Sequence, residues 1–341
     1  MKGADLGGCP PQPVDGRKSA AGLLRAFQQA GQTAGVPTPL LVAGLWCLWS
    51  AAFVATKVGL RDAPPLPFVV LRVATAAVVL LAVAPLVFTA DDRRRLREPR
   101  VHLWAALLGL TNVAGLLGLQ AAGVARGSAG FAAVVTYAQP LLVAAGGRLF
   151  LRERLSGRQL LGLVLGWAGV VASVAGEAQL SSTAVPAAGL LLLSAASWSV
   201  GTLVTRRVSG SLPLGPLLLL QNLYGLLPLL ALSVPSLHQV RPTWSLLLAV
   251  LWVGLGAQAC GYALQYALLR RGSAGVVSAY LFAVPVLAAL LGVALLGEAL
   301  HPALLVGVLA VAVAVVLVAL PPRGTAAART AARRTAATPG G

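Results

Sequence analysis

Two cations stand inside long apolar stretches of this chain. Lys57 and Arg72 each interrupt a run of Leu, Val, Ala and Phe. A charge at the centre of a bilayer costs at least about 2.5–3.5 kcal/mol, so an intramembrane cation is read first as functional. The chemistry open to either is capture of a carboxylate or another anion. Arg72 lies seven residues into its run, roughly 10 Å deep at about 1.5 Å per residue. Its alternative role is a structural bond to helix-end carbonyls. Lys57 lies about one turn from the end of its run, where a long side chain also reaches the interface by snorkelling.

Polar and aromatic side chains near the middle of other runs are the next candidates for lining a substrate cavity: Trp49, Asn112, Tyr137, Trp198, Tyr262 and Tyr280. Such a site is mostly apolar with a few directed polar groups. A single Trp or Tyr also serves as an interface anchor or packing residue. Gln120 and Gln265 fall near run ends and read as structural. Glu153 and Glu298 are read either as gate or proton-handling acids or as helix-end carboxylates. Pro140 and Pro285 each remove a backbone hydrogen bond within a run, giving a kink that serves movement or a fixed bend. No Asp or Glu lies in the middle of a run. A buried carboxylate of raised pKa is therefore not expected there: coupling is absent, uses another group, or rides on the substrate. His102, His238 and His301 have no metal-ligand spacing, and Cys9, Cys47 and Cys260 form no disulfide framework. No catalytic residue, metal or cofactor is expected. A membrane-embedded enzyme would need clustered His, Asp, Glu, Ser or Cys at a membrane surface. A sensor or assembly protein would need an appended soluble domain.

The elements that must position these residues follow from composition. Of 341 residues, 58% are hydrophobic and 10% charged, with mean hydropathy +0.85. A soluble domain carries about a quarter charged residues, so this surface suits lipid rather than water. Ten apolar runs of near-spanning length cover 38–60, 65–88, 102–123, 127–150, 157–177, 186–207, 214–234, 245–269, 273–296 and 302–320. The net charge of +17 would suit nucleic acid, but the basic residues sit in short clusters between runs, so no nucleic-acid partner is expected. With the N-terminus inside, 21 of the 26 Lys and Arg fall on the inner side and only Arg61, Arg126 and Arg241 on the outer side. That bias places both termini in the cytoplasm.

The chain is also written twice. RGSAGFAAVVTYAQPLLVAAGGRLFLRERLSGRQLLG from Arg126 returns from Arg271 as RGSAGVVSAYLFAVPVLAALLGVALLGEALHPALLVG, 145 residues on. Pro140 falls on Pro285, Gly147 on Gly292 and Glu153 on Glu298. Earlier, Trp49-Ser50 matches Trp198-Ser199 and Arg72 matches Gln221, at an offset of 149. Each unit holds five runs, an odd number, so the second unit enters upside down. The predicted fold is an all-α integral membrane protein with ten transmembrane helices in two inverted five-helix repeats. Tail 1–37, repeat 38–177, repeat 178–320 and tail 321–341 are the expected divisions, both tails disordered. Inverted repeats underlie alternating access in many secondary transporters.

The chain resembles the EamA family of the drug/metabolite transporter superfamily. The resemblance is carried by Trp49 to Lys57, Arg72, the Gly127-x-x-Gly130 start and Pro140 of the fourth run, and Leu151-x-Glu153-x-Leu155 to Gly162. It covers roughly residues 38–320 and implies export of small metabolites, amino acids or related compounds, without ATP. The implied setting is the cell's inner membrane, with a small-molecule substrate and the lipid bilayer as partners; a homodimer is left open. Gln221 at the Arg72 position departs from equal roles for the two halves.

Overall fold

The computed structural model describes residues 37–150, 156–208, 211–271, 281, 283–299 and 302–319. The two tails, Glu153 and Tyr280 lie outside them. Among the described residues the fold is all-helical, without strands. Eight helices are long and apolar enough to cross a membrane, and two more, Ala283–Leu296 and Pro302–Leu317, are apolar but shorter. The first part of the expected ninth span, 273–280, falls outside the described residues.

The helices are α1 Thr38–Gly59, α2 Pro65–Val87, the short α3 Ala90–Arg95, α4 Pro99–Leu108 and α5 Leu116–Val124, then α6 Ala129–Thr136, α7 Gln139–Phe150, α8 Gly157–Leu180 and α9 Ala184–Val208. The second half continues with α10 Leu214–Ser233, α11 Trp244–Leu251, α12 Gly261–Arg271, α13 Ala283–Leu296 and α14 Pro302–Ala319. Local sequence sets their ends. Proline opens α2 and α4, where its missing N–H costs nothing. Ser128, Ser156 and Thr243 cap α6, α8 and α11 through their hydroxyls, filling donors the first turn leaves bare. Pro140 has no N–H for helix bonding, and its ring crowds the carbonyl four residues back. The helix accordingly breaks at Tyr137-Ala138, and α7 restarts just before Pro140.

α4 and α5 are joined by a π-helical segment, Gly109–Gly115, and α11 and α12 by another, Trp252–Cys260. Displaced by 145 residues, the first falls on 254–260, inside the second. Glycine lets each approach a neighbour. A methyl on Gly109 would lie 2.7 Å from the Gln221 carbonyl oxygen, and one on Gly254 would lie 2.8 Å from the Arg72 carbonyl oxygen. Gly109 matches Gly254, and Arg72 matches Gln221, so one contact is built twice.

Lipid is as apolar as Leu, so these helices hold together through close packing of small residues and interhelical hydrogen bonds. α8 and α14 show the first. A methyl on Gly169 would lie 2.6 Å from the Ala310 methyl, and one on Gly166 would lie 2.9 Å from the Ala314 methyl. Hydrogen bonds supply the second. Gln258 Nε2 donates to Asn222 Oδ1 at 3.0 Å, and Gln139 Nε2 to Thr202 Oγ1 at 2.9 Å. Leu103, Val164, Leu193 and Leu248 are among the large apolar residues left exposed around the bundle, as a lipid-facing surface requires.

Candidate functional site

α1, α2, α5, α9 and α12, with the break after α6, converge on one central cavity. It is lined by Trp49, Phe53, Arg72, Tyr137, Trp198 and Tyr262, with Ala52, Leu116, Leu117, Gln120 and Ala257 filling its walls. Trp49 packs edge-on to Trp198 at 6.2 Å between ring centroids and to Tyr262 at 5.8 Å. Trp198 meets Tyr137 at 5.7 Å and 90°, and Tyr137 meets Phe53 at 6.2 Å. Edge-to-face pairs at such separations are each worth about 0.5–1.5 kcal/mol beyond burial. Trp49 is fixed further by its Nε1 donating to the Ala257 carbonyl at 3.0 Å, a group on the second π segment.

Arg72 brings the charge. It is 7% exposed, and its Nε has no hydrogen-bond partner among the described residues. Tyr262 is its electrostatic neighbour, and the ion pairs among the described residues, Arg94 and Arg95 with Asp91, lie elsewhere on α3. A guanidinium is a fork of donors suited to a carboxylate, and a buried one without a counter-ion attracts an anion strongly. The aromatic faces around it suit an apolar or cationic body on the same ligand. The cavity is about 50 Å³, against roughly 300–1,000 Å³ for an occupied small-molecule pocket. The rings must part for a metabolite to enter.

The cavity lies across the repeat. Trp49 and Trp198 are repeat partners that both line it, and so are Leu117 and Tyr262. Arg72 is the point where the halves differ, since its partner Gln221 is not in the lining. The cavity is thus built from both halves, with its charge from one.

Five of the substrate-site candidates meet here: Trp49, Arg72, Tyr137, Trp198 and Tyr262. Asn112 is placed elsewhere, buried against Gly201 of α9. Lys57 is also separate. Its Nζ donates to the Val124 carbonyl at 3.1 Å and to the Gly127 carbonyl, and it lines a second cavity of about 250 Å³ with Leu60, Arg61, Ala125, Leu296 and Glu298. Glu298 sits at the start of α6, where both carboxylate oxygens accept from the Ala129 N–H at 2.9 Å. Pro140 lies at the start of α7, beside the break that presents Tyr137. Pro285 is buried near the start of α13.

Sequence reading took Gln120 as structural, whereas it lines the central cavity, and it passed over Glu177. Glu177 accepts from the Ser128 N–H at 2.6 Å and its hydroxyl at 2.9 Å. Its signal was a carboxylate closing an apolar run. Phe53, Ala52, Leu116, Leu117 and Ala257 gave none, because apolar residues that line a cavity read the same as those that pack.

A bundle of apolar spanning helices around a cavity drawn from both halves defines a polytopic membrane transporter. The EamA-like transporter family model matches this chain twice, at residues 37–175 and 185–320. The chain belongs to that family and is a multi-pass protein of the cell's inner membrane. It is 29% identical over 255 residues to the uncharacterized transporter YvbV of Bacillus subtilis, covering 74% of this chain and 81% of that one. It is 29% identical over 264 residues to a probable amino-acid metabolite efflux pump of Salmonella typhimurium, covering 72% and 84%. The uncharacterized inner membrane transporter YedA of Escherichia coli K12 matches at 28% over 254 residues, covering 73% and 79%. A crystal structure superposes with a TM-score of 0.61 at 22% identity, covering 87% of this chain and 98% of that one, a likeness of fold.

Proposed function

We propose that this transporter exports a small carboxylate-bearing metabolite, an amino acid or related compound, by alternating access. Ten transmembrane helices in two inverted five-helix units, with both termini cytoplasmic, rock about the central cavity. One observation carries the reading: Arg72 is buried, with no ion-pair partner among the described residues, in a cavity lined by the repeat partners Trp49 and Trp198. The guanidinium holds the carboxylate, and the rings of Trp49, Trp198, Tyr137 and Tyr262 enclose the rest of the molecule. Because the two halves are alike, exposing the cavity to one side or the other costs similar free energy, and substrate binding selects between the two. The name of the Salmonella relative, an amino-acid metabolite efflux pump, supports this substrate class. The scarcity of clustered nucleophiles and acids favours transport over membrane-embedded catalysis.

The test is untargeted metabolite profiling of spent medium from cells overproducing the protein and from cells carrying an empty vector. Accumulation of one or a few carboxylate-bearing metabolites outside only with the protein supports export. An unchanged medium, with the protein present in the membrane, overturns it.

A further inference from the structure

The central cavity and the second cavity are stacked along one face of α1. Trp49 and Phe53 line the first; Lys57, one turn on, lines the second. On the opposite wall, Leu116, Leu117 and Gln120 of α5 face the first, and Ala125, just past its end, faces the second. The α5–α6 connection, residues 125–128, borders the second chamber through Ala125 and is clasped from three sides. Lys57 holds the Val124 and Gly127 carbonyls. Glu177, near the end of α8, holds the Ser128 N–H and hydroxyl. Glu298 holds the Ala129 N–H.

The local fold delivers Glu298 there by design of the α13 end. Gly297 takes φ +66, the left-handed turn that ends many helices at glycine. Its N–H reaches the Val293 carbonyl at 3.2 Å, and the Glu298 N–H turns back to Gly292 at 3.2 Å. The carboxylate then lies against Gly292, where any side chain would strike Oε2. Among the described residues, the other acids, Asp62, Asp91, Asp92 and Glu98, lie in connections or the short α3, away from this clasp.

We propose that Glu298 is a proton-binding site facing the outer chamber, and that its protonation releases the clasp and opens the central cavity outward. The groups around it are Lys57 from α1, Arg61 just after α1, Glu177 from α8, and Ser128 with the Ala129 N–H from α6. Lys57 and Glu298 interact electrostatically, as do Glu177 and Glu298. A proton on one Glu298 oxygen removes the negative charge that faces Lys57 and weakens the hold on Ala129. The second carboxylate, Glu177, disfavours two charges side by side and so assists proton uptake. Burial, the largest influence, pushes the Glu298 carboxyl above the ordinary glutamate range, while the Ala129 N–H and Lys57 pull against it. Proton uptake is thus placed above that range, and opening follows acidification of the outer medium.

The inference takes from the transporter reading only that the central cavity must open outward, and its test needs no substrate. In cells making a chain with Cys9, Cys47 and Cys260 replaced by serine, Ala52→Cys reports the central cavity. Gln239→Cys reports the exposed outer surface and corrects for the pH dependence of thiol reactivity. A membrane-impermeant thiosulfonate is added from outside, at neutral and at mildly acidic pH. Relative labelling of Ala52→Cys is expected to rise several-fold on acidification, and in an added Glu298→Gln background to be high and flat. Labelling that ignores pH in the Glu298 chain overturns the proposal without recourse to the Gln variant. So does an unchanged pH response in Glu298→Gln. Export could fail in metabolite profiling while this response stands, and the reverse.

Discussion

Ser50 and Ser199 make the same hydrogen bond in opposite halves of the molecule. Ser50 Oγ donates to the Val284 carbonyl at 3.2 Å, and Ser199 Oγ donates to the Gln139 carbonyl at 3.1 Å. Each ties the first helix of one repeat to the residue preceding the central proline in the other, Pro285 or Pro140. The repeat therefore extends from sequence to individual contacts. Both serines are buried, and an interhelical bond of this kind is worth about 0.6 kcal/mol on average and up to about 1.7. Ser50→Ala and Ser199→Ala are each expected to lower thermal stability in detergent by a similar amount in that range. The two losses should add in the double variant, as independent sites do.

The glycine contacts of the π segments predict a larger effect. Gly109→Ala and Gly254→Ala put a methyl under 3 Å from the backbone oxygen of Gln221 or Arg72. Helices must separate to relieve this, at about 1–3 kcal/mol each. Gly254→Ala should also impair transport more than Gly109→Ala, because it displaces the backbone that carries Arg72. Stability and transport measured side by side decide this.

Trp49 has two roles that separate by substitution. Trp49→Phe keeps an aromatic wall but loses the donor to Ala257; Trp49→Ala loses both. Transport is expected to fall in the order wild type, Phe, Ala. Equal activity of Phe and Ala would mean that the bond to the π segment, rather than the ring, is what Trp49 contributes.

Asp62 gives a pH prediction for the connection between α1 and α2. It follows α1 and accepts from the Thr243 and Ser245 hydroxyls at 2.6 Å each, at the start of α11. The Ser245 hydroxyl first, then that of Thr243, holds its carboxyl below the usual aspartate range. A lowered folded-state pKa contributes stability above the unfolded value and loses it as pH falls through the folded one. Asp62→Asn should therefore lower stability slightly at neutral pH, change little once pH is below the folded-state value, and so flatten the acid side of a stability–pH profile. The site is exposed, so the effect is small.

Much of this was legible in the sequence. Apolar runs marked the eight spanning helices among the described residues to within a few residues, because a bilayer leaves a spanning chain little choice but helix. Gly, Pro and Glu in fixed register exposed the repeat. The central cavity gathers Trp49, Arg72, Tyr137, Trp198 and Tyr262, side chains whose size or charge makes them conspicuous among Leu and Ala. What stayed hidden depended on three-dimensional approach. Nothing in the spacing of Lys57 says that its ammonium ends on the Val124 and Gly127 carbonyls. Glu177 and Glu298 are 121 residues apart, and only the packing of α8 and α13 around α6 brings both to adjacent residues, Ser128 and Ala129. The π segments escaped because their sequences carry the same residues as ordinary helix.

The central claim is that Arg72 holds a substrate carboxylate during export. A charged hydrogen bond is worth about 1.5–3 kcal/mol, or roughly tenfold to a hundredfold in efficiency at about 1.4 kcal/mol per factor of ten. The direct measurement compares spent medium from cells making wild type, Arg72→Ala and Arg72→Lys at matched membrane abundance. The account predicts that carboxylate-bearing metabolites accumulate outside with wild type, fall by at least tenfold with Arg72→Ala, and recover in part with Arg72→Lys. The same metabolites exported at the same rate by Arg72→Ala would contradict it.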